Sequence, residues 1–225
     1  MDTELRRFVR DNSLSIFFGA LFLGALVGQA IAGHIAFNND QLAHGEGPVS
    51  LWGYVTSSAF GNAVLENWQS EYLQFTLMMM ATIWLLQRGS PESKDLDEAG
   101  LESESEQKIG SSALRSSPFW ARTGGVRTAL YSNSLLIVMA LIFFGSWFGQ
   151  SITGWRDYND NQRTHHEATV SYTGYLTNAD FWEATLQNWQ SEFLAVGSFA
   201  VFAIYLRQRG SPESKRVGAP HDAQE

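Results

Sequence analysis

Two glutamates and two asparagines recur in one string, Asn67-Trp68-Gln69-Ser70-Glu71 and Asn188-Trp189-Gln190-Ser191-Glu192, each at the head of an apolar run. An ionisable group at membrane depth is costly and ordinarily faces a cavity or a partner, and two carboxylates brought close push one pKa upward. Glu71 and Glu192, with Asn67 and Asn188 beside them, are therefore candidates for a paired site that holds a cation or moves a proton. The competing reading is an interfacial anchor, with Trp at headgroup level and the polar groups facing headgroups or a neighbouring helix. Counting about 20 residues back from Leu86 reaches Asn67 and from Leu206 reaches Gln187, which sets both glutamates about one turn inside the outer boundary.

Other polar groups extend the candidate set. Gln29 and Gln150 are amides inside apolar stretches, where an unsatisfied polar group costs several kcal/mol; they either hydrogen-bond between helices or line a polar path. His44 and Glu46 match His165 and Glu167, with His166 added in the second instance. Imidazole and carboxylate suit a divalent metal, but H-x-E spacing alone is weak, and the cysteine couple of the zinc deaminases is missing. Solvated loop residues are the simpler account. With no nucleotide-binding loop, nucleophile elbow or zinc motif, the chain reads as a non-enzyme that uses no cofactor and no bound metal.

The elements that must position these groups come in duplicate. Residues 12–94 recur as 133–215 at a constant offset of 121, with 38 of 83 aligned positions identical. Such a register implies that each copy is a folding unit. A mean hydropathy of -0.15 and 17% charged residues resemble a soluble chain, yet Leu14 to Phe37 and Leu135 to Trp155 contain no Asp, Glu, Lys or Arg. Each is long enough for a hydrocarbon core of about 30 Å. Shorter charge-free runs follow the two NWQSE strings, from Tyr72 to Gln87 and from Phe193 to Leu206. The first apolar stretch follows Arg6, Arg7 and Arg10 and resembles a secretion signal, but its counterpart in mid-chain argues for a retained helix.

Within those stretches Gly24 and Gly28 match Gly145 and Gly149. Small residues four apart share a helix face and admit another backbone, so both GxxxG pairs read as packing surfaces between the first and third spans. Each copy closes on RGSPESK, Arg88 to Lys94 and Arg209 to Lys215. Gly89 and Gly210 suit a helix C-terminus, and Pro91 and Pro212 prevent continuation; docking of a cytoplasmic partner is the alternative. Ser50, Gly53, Tyr54 and Phe60, matched by Ser171, Gly174, Tyr175 and Phe181, suggest an ordered external cap.

Charge sets the orientation. Of the 15 Lys and Arg residues, only Arg156 and Arg163 fall in the loops within the copies, a positive-inside bias that puts both termini and the central segment in the cytoplasm. Two spans per copy then give parallel repeats about a pseudo-two-fold axis along the membrane normal. The segment 95–132, acidic and Ser-rich at its start, reads as a disordered linker. Absence of cysteine removes disulfides and thiolate chemistry together, and nothing suggests nucleic acid as a partner.

Paired NWQSE and RGSPESK strings closing GxxxG-containing two-span repeats resemble a family of small bacterial integral membrane proteins known as a domain of unknown function. The resemblance implies a multi-pass protein of the bacterial cytoplasmic membrane, and it carries over no catalytic residue. The expectation is an all-α polytopic membrane protein: a cytoplasmic N-terminus (1–11), two-helix repeats at 12–94 and 133–215 giving four transmembrane helices, the linker 95–132, and a cytoplasmic tail (216–225). Its expected role is structural or interactive, with the lipid bilayer and either a second copy or another membrane protein as partners. The alternative is a small transporter or channel component using the paired glutamates.

Overall fold

The computed structural model describes residues 3–223. Among them the regular structure is helical, with no strand. A short basic helix α1 (Thr3–Asp11) precedes α2 (Ser13–Ala43), α3 (Leu51–Val55) and α4 (Ser58–Ala81). After a long irregular stretch come α5 (Phe119–Arg122), α6 (Gly125–Ser132), α7 (Ser134–Thr164), α8 (Tyr172–Leu176) and α9 (Ala179–Tyr205). Helices α2 and α7 are both 31 residues long and begin 121 positions apart, and the same offset separates the starts of α3 and α8 and of α4 and α9.

Two helices, α2 and α7, are long and apolar enough to cross a membrane. A straight helix of that length measures about 46 Å, so each continues several turns beyond a 30 Å hydrocarbon layer. The most apolar window of α2 has no buried residue, and that of α7 is 22% buried.

The chain divides into two compact units, and these do not coincide with the repeats. One comprises Met1–Val64 with Ile152–Ser171, the other Leu65–Ser151 with Tyr172–Glu225. Each unit takes a piece of both copies. The physical reason is that an amphipathic or apolar helix pair buries little surface by itself; side chains of one copy find their partners on the other.

Segment 95–132 is mostly turns and irregular backbone up to α5, with local hydrogen bonds. The Ser103 and Glu106 side chains form a capping pair, with Glu106 Oε2 accepting from the Ser103 backbone N–H at 2.7 Å and Ser103 Oγ from that of Glu106 at 3.3 Å. Further on, Thr128 Oγ1 donates to the Trp120 carbonyl at 2.7 Å, tying α5 to α6.

The second unit holds most of the buried apolar side chains, among them Leu73, Phe143, Tyr175, Phe181 and Ile204. An aromatic cluster continues this core, with the Trp147 ring 5.8 Å from Phe143, 5.7 Å from Trp189 and 6.1 Å from Trp182 between centroids.

Candidate functional site

In the first unit, both copies end their long helix the same way. His44 caps α2; the Gly45 N–H donates to the Leu42 carbonyl at 3.2 Å and the Glu46 N–H to that of Gln41 at 2.8 Å. After α7, the N–H of His166 donates to the Arg163 carbonyl at 3.0 Å and that of Glu167 to the Gln162 carbonyl at 2.8 Å. This 5→2, 6→1 pair is the Schellman motif, which needs a left-handed residue at its centre. Gly45 supplies it at φ 77°, and His166 at φ 58°. The H-x-E spacing thus has a conformational basis: His, then a left-handed residue, then Glu.

The two cap histidines meet, with ring centroids 4.9 Å apart in an edge contact. Their Nδ1 atoms lie 3.0 Å from the Asp40 carbonyl and 2.9 Å from that of Asn161. A carbonyl only accepts, so each Nδ1–H donates. Glu46 accepts from Thr164 Oγ1 at 3.4 Å, while Glu167 is exposed. Among the described residues, no group of three or more His, Asp or Glu side chains is placed to hold a metal ion. A cavity of about 390 Å³ beside the pair is lined by Asp40, Glu46, Asp157, Asp160 and Arg163 among others. Nearby, burial pushes the Tyr54 phenol up, and the Asp157 carboxylate adds to the shift.

The loops that follow are held by a device absent from the sequence reading. Asn38 Nδ2 donates to the Val49 carbonyl at 3.0 Å while its Oδ1 accepts from the Val49 N–H at 2.8 Å. Asn159 does the same to Val170, at 3.0 and 2.8 Å. A third group reaches the same carbonyls, His34 Nε2 at 2.8 Å and Trp155 Nε1 at 2.9 Å. An indole can only donate, and His34 on a carbonyl does likewise as its Nε2–H tautomer. Tyr54 then closes over Gly33, where any added methyl would run into its ring and hydroxyl. Ser50 caps α3 by accepting from Gly53 N–H at 3.1 Å, and Tyr54 and Tyr175 are buried against Phe60 and Phe181. Asn38, Val49 and Gly33 are each identical in the second copy, and that identity was the signal available in the sequence.

In the second unit the two NWQSE strings part company. Gln69 and Ser70 are buried, and Gln69 Oε1 accepts from Trp189 Nε1 at 2.7 Å. Gln190, its equivalent, is exposed. Asn188 Nδ2 donates to Glu66 Oε1 at 2.7 Å, so the carboxylate joined to a retained asparagine is Glu66, which has no acidic counterpart in copy two. Asn67 and Glu71 are exposed and Glu192 is half-buried. Of the amides beside the glycines, Gln150 is buried and Gln29 half-buried. A methyl built on Gly24, Gly28 or Gly145 meets nothing within 4 Å among the described residues, whereas on Gly149 it meets Leu65 Cδ1 at 2.8 Å. Close packing therefore occurs at Gly149, against a leucine rather than another glycine face.

The RGSPESK strings do not stop their helices at the glycine. Helix α4 ends at Ala81 and α9 at Tyr205, several residues earlier, and each string folds into a hydrogen-bonded turn. The Gln87 N–H donates to Ser93 Oγ at 2.8 Å and the Gln208 N–H to Ser214 Oγ at 2.9 Å. Ser90 Oγ accepts from Glu92 N–H at 3.3 Å, and Ser211 Oγ from Glu213 N–H at 3.2 Å. Gly89 and Gly210 supply φ values of 78° and 87° inside this turn. The closing lysine folds onto the chain that follows: Lys94 donates to the Gly100 carbonyl at 2.8 Å and pairs with Glu102, and Lys215 donates to the His221 carbonyl at 2.8 Å. Each serine, glycine and lysine thus has a conformational task, which accounts for the string's retention in both copies.

The chain matches, over residues 5–225, a family described as a domain of unknown function, DUF6766. No curated protein and no solved structure matches.

Proposed function

Starting from a chain that belongs to the domain-of-unknown-function family DUF6766, we propose an integral membrane protein with a structural or interaction role. The observation that carries this reading is the surface of α2. Phe17, Phe18, Leu21, Leu23, Val27 and Ile31 are all at least half exposed, on a helix whose apolar window buries nothing. Fully burying one such side chain is worth about 1.5–3 kcal/mol, so leaving all six in water forgoes about 9–18 kcal/mol, as much as the whole stability of a domain, about 5–15 kcal/mol. Lipid removes that cost. Phe193, Leu194, Val201 and Phe202 on α9 are similarly exposed, which supports α4 and α9 as further spans and a four-span, two-repeat arrangement.

In this reading both termini, the 95–132 segment and the two RGSPESK turns face the cytoplasm of a bacterium, as the distribution of Lys and Arg favours. The paired caps and asparagine clamps lie outside. The polar contacts Asn188–Glu66 and Trp189–Gln69 hold helices together, a structural use of polar groups at membrane depth. The partner is a second copy or another membrane protein, approached through the open Gly24 and Gly28 face of α2.

The chain has no cysteine, so single introduced cysteines report topology without background. Cysteines at Gly47 and Ala168 should react with a membrane-impermeant maleimide on intact cells, while one at Ser103 reacts only after permeabilisation. The protein should also stay in the pellet after carbonate extraction. Release into the carbonate supernatant, or labelling at Ser103 on intact cells, overturns the reading.

A further inference from the structure

We propose that the cleft between α4 and α9 binds a single-chain amphipathic amine, its apolar chain among Met78, Val196, Phe199 and Ala200 and its ammonium on the Glu92 carboxylate. The cleft holds about 360 Å³ and runs from Gln74 and Thr82 on α4 to Ser90 and Glu92 in the first RGSPESK turn, with α9 as its other wall. Ligand pockets occupy about 300–1,000 Å³, so a volume near the lower limit suits one chain rather than the two of a common phospholipid. The space originates in the sequence. Ala195, in the α9 wall, stands where the first copy has Gln74, and Ala200 where it has Met79, so α9 presents small side chains where its counterpart carries long ones.

The closing strings give their serines, glycines and lysines conformational work and leave the glutamates without any. The Glu92 N–H donates to Ser90 Oγ at 3.3 Å, which fixes the backbone, and the residue sits half-buried in the cleft wall. Among the described residues its carboxylate takes no hydrogen bond and no ion pair, and the Gln74 amide at the far end of the cleft has no partner either. No basic side chain among the described residues lines the cleft; Lys94, two positions on, is taken up by Glu102 and the Gly100 carbonyl. Burial first and Glu213 second push the Glu92 carboxyl up, and a cation that reaches the carboxylate favours its charged form. An ammonium does so through charge-assisted hydrogen bonds, and Gln74 offers a further hydrogen bond to a polar group along the chain.

Sign and position select the occupant. The carboxylate sets the charge of the head, and the apolar walls set the body. Helix α4 ends at Ala81 and the turn follows it, so the head lies beyond the end of that helix and the chain lies between α4 and α9. Glu213, the equivalent of Glu92, is exposed and lines no part of the cleft. The two turns also differ in covering: a methyl added to Gly89 would run into the His221 carbonyl oxygen of the folded-back tail, whereas nothing lies within 4 Å of that position at Gly210.

This inference rests on the membrane reading above, and its test keeps the two apart. Full-length protein in nonionic detergent is titrated calorimetrically with decylammonium, decyl sulfate or decanol. Decylammonium should bind in preference to both, and Glu92→Gln should weaken it about tenfold, the loss of one charge-assisted contact. Glu213→Gln, outside the lining, should weaken it less. Ala200→Phe, which fills the cleft, should abolish binding in a protein that still melts cooperatively; if that variant does not fold, Glu92→Gln decides alone. Equal binding of decyl sulfate or decanol, wild-type affinity in Glu92→Gln, a larger loss in Glu213→Gln than in Glu92→Gln, or displacement of decylammonium by an equal concentration of phosphatidylethanolamine overturns the proposal. Carbonate extraction separates the failures: wild-type protein that stays in the pellet yet shows no preference for the amine refutes only the cleft, whereas release into the supernatant sinks the membrane reading itself.

Discussion

The two compact units treat the duplicated sequence in opposite ways. In the unit built from Met1–Val64 and Ile152–Ser171, equivalent residues do equivalent work: Asn38 and Asn159 clamp Val49 and Val170 with distances that agree to the first decimal, and both long helices end in the same cap. In the other unit, equivalents diverge. Gln69 is buried on Trp189 while Gln190 is exposed, and Gly89 is covered while Gly210 is open. The difference lies in the reach of each interaction. A cap or clamp is made within one copy, so its geometry survives duplication unchanged; a packing residue depends on what lies beside it, and the two copies have different neighbours. The RGSPESK turns show both behaviours at once, with identical internal hydrogen bonds and different coverings.

The sharpest way to break this comparison is at the clamps. Asn159→Ala should cost about 2 kcal/mol, since it strands the half-buried N–H of Val170 and leaves its carbonyl to Trp155 alone, and Asn38→Ala should cost a similar amount; thermal unfolding in detergent measures both. A large effect at one and none at the other would end the claim that this unit is symmetric. At the NWQSE strings the expectation reverses. Gln69→Leu strands the Trp189 indole N–H and should cost about 2 kcal/mol, whereas Gln190→Leu, on an exposed position, should stay within about 0.5 kcal/mol. Equal costs there would mean the second unit is symmetric after all.

Smaller effects sharpen the picture. His166 holds a left-handed φ that Gly45 adopts without penalty, so His166→Gly should raise stability by about 1 kcal/mol and Gly45→His should lower it by a similar amount. Opposite signs in a pair of melting curves are the readout. Last, burial and Glu213 raise the Glu92 carboxyl above its unfolded value. A raised carboxyl favours the folded state below the unfolded pKa and loses that contribution as pH rises through the folded one. Glu92→Gln should therefore melt slightly higher than the parent at neutral pH, with the gap closing on acidification below the ordinary carboxylate range. A gap that persists at low pH, or a parent that is the more stable at neutral pH, would mean that neither burial nor Glu213 raises this carboxyl.

Much of the local structure was legible. The apolar stretches at Leu14 to Phe37 and Leu135 to Trp155 fall inside α2 and α7, and Tyr54 and Tyr175, two of the residues expected to be ordered, are buried. Helix ends were less legible: α4 and α9 stop before RGSPESK, because hydropathy does not reveal that Ser93 and Ser214 will take the backbone N–H groups of Gln87 and Gln208. Glu66 stands where the copies differ, opposite Gln187, so identity between the copies does not point to it. Identity between copies points to Asn38, Gly33 and Val49 without saying what they do, since an asparagine on a helix can be solvated or can clamp a loop.

The sequence by itself determined the duplication, the helical class, the two long apolar helices and the charge distribution, because composition and period act within a few residues of one another. Only the tertiary structure decided that the compact units draw on both copies, that H-x-E is a helix cap whose histidines meet across the copies, and that one of two identical turns is covered while the other is open. Those outcomes depend on which surface of one copy meets which surface of the other. Two strings with the same letters carry no trace of that until the chain has packed.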